Sequence, residues 1–500
     1  METENRTIIF DTSNGKPFSA DDDLYSARSK VVNAFATEVE ATILINAYNQ
    51  LDKVRNCVNS VLRNTRDVKY KLLLIDNGSD DENILPFFES VEHTNKHVLR
   101  ITNNMQLALP MTKAGAFFEG KYVIFLNGDM VVTPRWLSNL IRCAESDPKI
   151  GIVVPISSNV SNLQGYDFDF RDLEDMYQKS EKINISDPKK WEERLRLISA
   201  APLLKKECID IVGAVFDPGF LHDFADDEIT YRVRRAGYKA ILAKDTWVHH
   251  DHYHHTAKAD SLNIGRQNFK DKYHGIDAWD DINNYCGWFK ESIGKPNSHR
   301  PDILGIDVRC GTPILEIKNR LRELGVFDTK CFAVTQDARY YTDLQSICGD
   351  SNVICGEPLD ALLSSEAKEF DYIIIDKDIN TYEKPFDIIK AATKLLKKNG
   401  TMFAYLKNAY NLYFLLNSLG VNQIYLEDVY TPYTLELFNK KLQDLGLKLT
   451  IVLGINGDYK YIDSDTMSAL ENIVKMASEN NFKETWSRLN CERYAIKITK

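Results

Sequence analysis

This sequence of 500 residues lacks the features typical of membrane, secreted and nucleic-acid-binding proteins. No apolar run approaches the roughly 20 residues that cross a bilayer, and the N-terminus shows no basic and apolar leader. The nine cysteines form no Cys-x-x-Cys pair, which argues against a zinc site or a disulfide framework and for buried free thiols. Acidic and basic residues are interspersed with a net charge of −10, so we expect no broad affinity for nucleic acid or anionic membranes. These absences together predict a cytoplasmic protein that is not an integral membrane protein.

What the chain does contain is a succession of short apolar strands and amphipathic helices, with an apolar fraction of 44%. The alternation begins near Ala41, and this pattern is typical of a parallel sheet covered by helices. A polar segment at 293–298 indicates a linker, and a second alternation starts at Ile303. We therefore predict an α/β protein. Its predicted parts are an N-terminal extension with a helix (1–38), a first domain (39–292) and a second domain (300–500).

The strand Tyr122–Leu126 ends abruptly in the box Asn127-Gly128-Asp129. A carboxylate at the carboxyl edge of a parallel sheet lies where open α/β sheets bind ligands. Beside a glycine that permits close approach, this carboxylate suits a hard divalent cation and the phosphates it bridges. The alternative is an ordinary turn that closes the strand.

Two further polar clusters follow along the chain. Asp226-Asp227-Glu228 precedes a helical segment, and such a cluster serves either as a general base or as a helix cap. Five of the ten histidines lie within 249–255. This tract either supplies metal ligands or is an exposed segment with adventitious metal affinity.

Five motifs in order, over residues about 40–275, resemble the family 2 glycosyltransferases of GT-A fold: TILINAYNQ, LLLIDNGSDD, YVIFLNGD, DDEITYRVRRAGYK and WVHH. The resemblance implies a GT-A (nucleotide-diphospho-sugar transferase) domain and inversion at the anomeric carbon. It also implies a divalent metal (Mn²⁺ or Mg²⁺) and a nucleotide-sugar donor. We expect a UDP-sugar, with UDP-N-acetylglucosamine (UDP-GlcNAc) as the first candidate.

The same resemblance assigns the metal site. Asp129 is the expected carboxylate ligand, and His250 matches the histidine that completes the metal shell, with His249 and His252 as alternatives. The family often has aspartate where this chain has Asn127. We therefore expect Asn127 to contact the sugar or the ribose and not the metal.

The base that takes the proton from the attacking hydroxyl is also assigned by resemblance. Aligning Arg232 and Gly237 with the family's arginine and glycine places Asp226 at the base position. Asp227 is the second candidate.

Further residues are expected to bind the donor. Asp76 would accept a hydrogen bond from the N–H of uracil or thymine, and Tyr48 would line the base pocket. Lys113 either touches the diphosphate or is a solvated lysine, and Gly128 lets the donor approach the backbone. The family commonly has proline where Asn46 stands, so the exit from the first strand is expected to be shaped differently.

The second half, residues about 300–500, resembles the Rossmann-like class I methyltransferases through ILGIDVRCGTP and FDYIIIDKDINTYEKPFDIIKAATKLLKKNGTMFAYLKN. The binding positions depart from that pattern, with Arg309 and Pro313 replacing glycines and Asp337 coming late after its strand. We therefore expect a methyltransferase-like domain that does not bind S-adenosylmethionine. It would dock the acceptor, orient the catalytic domain or form a homo-oligomer.

The acceptor is less constrained. We expect a hydroxyl of a protein, such as Ser or Thr of a bacterial flagellin, or else a surface polysaccharide or lipid-linked glycan. The segment 155–160, followed by Gln164, is expected near the donor sugar or the acceptor. A bifunctional glycosyltransferase and methyltransferase, and an inactive sugar-binding protein, are the other possibilities.

Overall fold

A computed structural model describes residues 7–12, 39–220, 222–251, 259–296, 298–364, 368–418, 431–459 and 462–500. The chain divides into two compact units, Met1–Asn283 and Asn284–Lys500. Both are mixed α/β, as the alternation predicted. The helix predicted within residues 1–38 lies outside the described residues.

The first unit is built on one sheet. Its strands are β1 (Ile8–Phe10), β2 (Ala41–Ala47), β3 (Tyr70–Asn77), β4 (Lys96–Ile101), β5 (Tyr122–Asn127), β6 (Met130–Val131), β7 (Ile150–Ser157), β8 (Trp191–Arg194), β9 (Leu203–Lys205) and β10 (Lys239–His250). Its helices are α1 (Leu51–Asn64), α2 (Ile84–Ser90), α3 (Ala108–Ala114), α4 (Trp136–Glu145), α5 (Leu173–Ile183), α6 (Lys206–Val212), α7 (Ala225–Arg235) and α8 (Ala259–Lys272). The strand order is β1-β4-β3-β2-β5-β9-β7-β10-β6, with β8 on β10.

Five neighbouring strands of this sheet, β1, β4, β3, β2 and β5, run parallel. Strands β2 and β3 are buried on both faces, because parallel strands connected by helices are covered on both sides. Helix α1 packs on the sheet through Val54, Cys57, Val58 and Val61, which share one face at helical spacing. The parallel arrangement brings the carboxyl ends of β2, β3 and β5 to one edge.

The other half of the sheet is less regular. Strand β9 is antiparallel to both β5 and β7, and the long β10 runs parallel to β7. The pairing of β10 with β7 shifts register between Ala243 and Trp247, an irregularity that changes which side chains face a given side. Beyond it, the end of β10 pairs with the two-residue β6, with His250 opposite Met130.

The second unit holds a seven-stranded sheet. Its strands are β11 (Asp302–Ile306), β12 (Lys330–Thr335), β13 (Val353–Cys355), β14 (Phe370–Asp378), β15 (Leu396–Lys407), β16 (Lys448–Asn456) and β17 (Cys491–Thr499). Its helices are α9 (Thr312–Glu323), α10 (Tyr341–Cys348), α11 (Pro358–Ser364), α12 (Pro385–Lys394), α13 (Leu412–Ser418), α14 (Leu435–Asp444), α15 (Ser464–Ser478) and α16 (Phe482–Asn490). The order is β13-β12-β11-β14-β15-β17-β16, parallel from β13 to β15, with β17 antiparallel to both of its neighbours.

The described residues include no helix long and apolar enough to cross a membrane. All nine cysteines are free thiols, and eight of them are buried. The prediction of buried free thiols is thus confirmed for every cysteine except Cys355, which is exposed.

Candidate active site

The carboxyl ends of β2, β3 and β5 border a cavity of about 430 Å³ in the first unit. Six of the residues predicted from the sequence line it: Tyr48, Asn127, Gly128, Asp129, Asp226 and His250. Asp76, Lys113, Asp227 and His249 are not among the lining residues. The fold therefore joins parts of all five sequence motifs in one cavity, but not through every residue that we expected.

Asp129 and His250 lie next to each other in the lining of this cavity. The short pairing of β6 with β10 holds them together, because the Asp251 N–H donates to the Asp129 carbonyl at 2.9 Å. His250 Nε2 is then 3.5 Å from Asp129 Oδ2. A hydrogen bond of 2.9 Å from the His250 N–H to Ser158 Oγ fixes the strand end on its other side.

The arrangement fits a divalent ion. Two ligands at right angles, each about 2.1 Å from one ion, would be about 3.0 Å apart, so the 3.5 Å separation needs only a small side-chain rotation. In the described ranges there is no group of three or more His, Cys, Asp and Glu side chains able to hold a metal. If a metal ion bound here, Asp129 and His250 would be its two protein ligands, and its other ligands would come from elsewhere.

His249 points away from this pair, which corrects its prediction as an alternative ligand. Successive side chains of a strand lie on opposite faces, so only one of two adjacent histidines faces Asp129. His249 Nδ1 lies 2.8 Å from Ser158 Oγ, and its ring packs edge-on against Phe170 at 5.2 Å. Burial lowers the pKa of His249 below its ordinary value. His252, the other alternative, lies outside the described residues.

Asp226 and Asp227 are adjacent on α7, yet their surroundings differ. Asp226 lines the cavity together with Ser199 and His222. Burial raises the pKa of Asp226, against the opposing effects of Ser199, His222 and Arg196. Such a shift moves a carboxyl towards the range in which a general base works best.

The second base candidate, Asp227, is corrected by the structure. Its carboxylate is paired with the Arg196 guanidinium, and both side chains are almost completely buried. One residue along a helix rotates a side chain by about 100°, so when Asp226 faces the cavity Asp227 turns into the protein. Asp227 therefore holds α7 to the segment that carries Arg196.

Asp76, the predicted base contact, is not among the residues that line the cavity. Arg100, its register partner on β4, pairs with one carboxylate oxygen, and the Ser79 N–H donates to the other at 3.0 Å. Asp76 is completely buried. Both oxygens thus have protein partners, and the carboxylate shapes the loop after β3.

Lys113 also lies outside the cavity lining. Its ammonium group is 5.5 Å from the ring centroid of Phe10, the last residue of β1. Tyr48, by contrast, lines the cavity with its side chain 44% exposed and its hydroxyl 3.5 Å from Asp80. Tyr48 thus places an aromatic side chain in the cavity lining, whereas Lys113 is not part of that lining.

Gly128 has a structural reason to be glycine. A Cβ there would lie 2.9 Å from Val54 Cγ2 on α1, closer than side chains pack. The Gly128 N–H also donates to the Asn46 carbonyl at 3.0 Å. Glycine at this position therefore permits a close approach between the box and α1.

The segment after β7 supports the cavity wall, and Val160 lines the cavity directly. The Gln164 amide pairs with the backbone of Ile198, accepting from its N–H at 2.7 Å and donating to its carbonyl at 3.0 Å. This bidentate contact holds the loop that places Ile198 and Ser199 in the lining.

Several lining residues were missed by sequence reasoning. Lys53, in the first turn of α1, lines the cavity and donates to the Asp251 carbonyl at 2.5 Å, which places a cation near the Asp129–His250 pair. Five further carboxamide residues line the cavity beside Asn46 and Asn127: Asn49, Gln50, Asn77, Asn104 and Gln106. The density of Asn and Gln directly after the strands is a signal that could have identified them.

The second unit has its own polar cluster where β11 and β14 meet, the point at which the strand order reverses. Arg309, in a left-handed backbone conformation (φ 51°), has its Nε 3.7 Å from Asp376 Oδ2. Asn284 donates to that same oxygen at 2.9 Å, and the Cys286 thiol lies 3.7 Å from the other oxygen. Side chains of this unit therefore contact one another at the switch point of the sheet.

A smaller cavity of about 230 Å³ lies beside this cluster. Its lining is Asp307, Arg309, Thr335, Gln336, Asp337, Tyr340 and Lys377. The carboxylate of Asp337 is paired with Arg339 at 2.5 Å and caps its own turn.

Comparisons with known proteins agree with the family resemblance that the five motifs of the first unit carry. Residues 42–190 match the sequence model of the family Glycosyl transferase family 2, and this match supports a transferase. The chain is 24% identical over 231 residues to the uncharacterized protein y4gI of Sinorhizobium fredii, covering 43% of this chain and 24% of that protein. It is also 24% identical over 230 residues to the O-antigen biosynthesis protein RfbC of Myxococcus xanthus, covering 42% of this chain and 17% of that protein. The chain thus spans about a quarter or less of these relatives.

Among solved structures, the chain is similar to GalNAc-T7 crystallised with UDP, GalNAc and Mn²⁺. The sequence identity is 16%, the TM-score is 0.35, and the match covers 46% of this chain and 48% of that chain.

Proposed function

We propose that this protein is a metal-dependent, inverting glycosyltransferase of GT-A fold that moves a sugar from a UDP-sugar to a hydroxyl acceptor. The observation that carries the proposal is the meeting of Asp129, His250 and Asp226 around one cavity at the carboxyl edge of the sheet. A two-ligand metal site and a carboxylate of raised pKa are the groups that glycosyl transfer from a nucleoside diphosphate requires. The family match over residues 42–190 supports the same activity.

The reaction assigns a separate task to each group. Asp226 accepts the proton of the acceptor hydroxyl as that oxygen bonds to the anomeric carbon. The bond from this carbon to the diphosphate breaks on the opposite face, so the configuration inverts and the nucleoside diphosphate leaves. A divalent ion held by Asp129 and His250 would neutralise the charge that develops on the leaving diphosphate.

Other lining residues bind the donor. Tyr48 forms the wall against the base, and Asn127 contacts the ribose or the sugar, since its neutral amide is a weak metal ligand. Lys53 adds positive charge near the expected position of the diphosphate.

The first candidate donor is UDP-GlcNAc. The first candidate acceptor is Ser or Thr of a bacterial surface protein such as flagellin, and a surface polysaccharide or lipid-linked glycan is the alternative. A panel of UDP- and GDP-sugars, scored for release of the nucleoside diphosphate with Mn²⁺ and then with EDTA, tests the reaction class. Release that is equally fast in EDTA would rule out the assigned metal role.

We propose that the second unit acts as a scaffold. Arg309, Asn284 and Cys286 surround Asp376 at the switch point, where the class I methyltransferase resemblance implies a bound cofactor. Arg309, whose guanidinium lies beside Asp376, stands where the resemblance implies a glycine that lets this cofactor approach the backbone, and this argues against cofactor binding. Titration of the full chain with millimolar S-adenosylmethionine should give no binding heat, and saturable binding would instead favour a bifunctional enzyme.

A further inference from the structure

The seven-stranded sheet of the second unit ends in two edge strands of very different length. One edge is β13, which has three residues, and the other edge is β16, which has nine. In the described part of the chain β16 pairs with β17 alone, so its outer side has no strand partner there. A row of backbone N–H and C=O groups along such an edge is a surface to which another strand can add.

The sequence of β16 lacks the usual protection of an edge strand. Natural proteins protect sheet edges with charged side chains, proline or a short strand. From Leu449 to Ile455 this strand has neither a charged residue nor a proline. Ile451 and Leu453 are 46% and 49% exposed, although both side chains are large and apolar. The pairing with β17 shifts register between these two residues, and this bulge leaves both of them in contact with solvent. The edge therefore has the character of an interaction surface.

The strand is complementary to a second copy of itself in an antiparallel pairing. With a two-fold axis near Val452, Ile451 of one copy lies opposite Leu453 of the other, which gives two apolar pairs across the axis. Lys448 is the only charged residue of the strand, and it lies opposite Asn456. No like charges meet, and the same surface serves both copies, as a two-fold interface requires.

We propose that two copies of this chain associate through β16, which joins their seven-stranded sheets into one continuous antiparallel edge pairing. The outer backbone groups of β16 gain hydrogen bonds, and the exposed side chains of Ile451 and Leu453 leave water. The second unit then acts as a scaffold that pairs two catalytic chains. This inference goes beyond the proposed transferase activity and does not rest on it.

The first experiment measures the mass of the wild-type full chain by sedimentation velocity over a range of micromolar concentrations. We expect twice the mass of one chain. Leu453→Lys should sediment as a single chain, because two new charges would be desolvated close to the axis. Ile473→Lys is the matched control, since Ile473 is an equally exposed apolar residue on α15, outside the strand, and this variant should remain a dimer. A wild-type chain that is monomeric at every concentration, or a dimeric Leu453→Lys, would overturn the proposal.

The second experiment locates the contact by disulfide crosslinking under mild oxidation, in a Cys355→Ser background because Cys355 is the exposed thiol. Val452→Cys should form a covalent dimer, since opposite Cβ atoms of an antiparallel pair are about 5 Å apart. Asn456→Cys, at the end of the strand, would lie about 27 Å from its equivalent, which is eight steps of about 3.4 Å, and should not crosslink.

The antiparallel direction has a test of its own. Lys448→Cys and Asn456→Cys chains should crosslink only when the two variants are mixed, because these positions lie opposite each other across the axis. A dimer that forms no disulfide at Val452→Cys, or that crosslinks equally well at Asn456→Cys, would show that another surface joins the chains and would overturn the role of β16.

These outcomes are separate from those that test the proposed function. A chain that forms the β16 dimer but releases no nucleoside diphosphate would contradict only the transferase activity. A monomeric chain with full metal-dependent release would overturn only the dimer.

Discussion

Replacing Asp226 with asparagine removes the proposed base and leaves the shape of the side chain almost unchanged. General base catalysis contributes about 10²–10⁴-fold in rate, which corresponds to about 3–5.5 kcal/mol of transition-state stabilisation. We therefore expect kcat to fall by a factor in that range. The fold should be kept, because Asp226 lines the cavity and is not half of a buried ion pair.

The pH profile adds a second signature. Asp226 must be ionised to accept a proton, and burial raises its pKa. In the wild-type enzyme kcat/KM should therefore rise with pH through a pKa above the ordinary range of an aspartate and then level off. This rise of kcat/KM with pH should be absent in Asp226→Asn.

Its neighbour provides the matched control. Asp227→Asn leaves the buried guanidinium of Arg196 without its countercharge, and breaking a buried pair from one side costs about 3–5 kcal/mol. We expect a lower free energy of unfolding by urea titration but an unchanged kcat per folded molecule. The assay is release of nucleoside diphosphate from the donor found in the panel. Full turnover by Asp226→Asn, or selective loss of kcat in Asp227→Asn, would refute the assignment.

Three further predictions concern the metal site, the Asn127-Gly128-Asp129 box and the loss of stability in acid. His250→Ala should raise the Mn²⁺ concentration for half-maximal activity by about tenfold or more, whereas His249→Ala should not change it. Gly128→Ala should destabilise the first unit by about 1–3 kcal/mol, measured by urea unfolding, because the new Cβ lies 2.9 Å from Val54 Cγ2. The pKa of Glu192 is lowered to about 2, so its ionisation should add about 3 kcal/mol to the free energy of unfolding. This contribution is present above about pH 4.5 and is lost as the pH falls towards 2.

Each of these has a contradicting result. Equal Mn²⁺ requirements in the two histidine variants would remove His250 from the metal site. For Gly128→Ala, an unchanged urea midpoint would show that α1 yields to the new methyl group. The loss of unfolding free energy in acid should be smaller in Glu192→Gln. This variant lacks the carboxylate that Arg194 and Lys244 keep ionised against the effect of burial. An equally steep loss in that variant would assign the acid sensitivity to other groups.

Much of the first-unit sheet was predictable from the sequence. Continuous apolar runs such as Leu72–Ile75 are typical of strands buried on both faces, and helical spacing marked α1. The predicted strand Tyr122–Leu126 occurs as β5, which extends to Asn127. The short strands β8 and β9 were not predicted, because three or four residues are too few to show an alternation and their pairing partners are distant in the chain.

The site was predictable only in part, and the corrections share a cause. Asp76 was expected to face a base, but Arg100 on β4 pairs with it. His249 was expected as an alternative ligand, but strand alternation and the register shift in β10 turn His250 towards Asp129. The sequence places these residues at the correct loops, while the direction of each side chain depends on partners elsewhere in the chain.

The sequence by itself determined that the strands of the first unit end in Asn, Asp and Gly at one edge of a parallel sheet, because parallel strands linked by helices present their carboxyl ends together. Only the tertiary structure decided which of two adjacent side chains reaches the cavity, since one residue along a strand or helix reverses or rotates its direction. It also decided that Asn46 and Asn127 lie side by side, because strand register is a property of the assembled sheet.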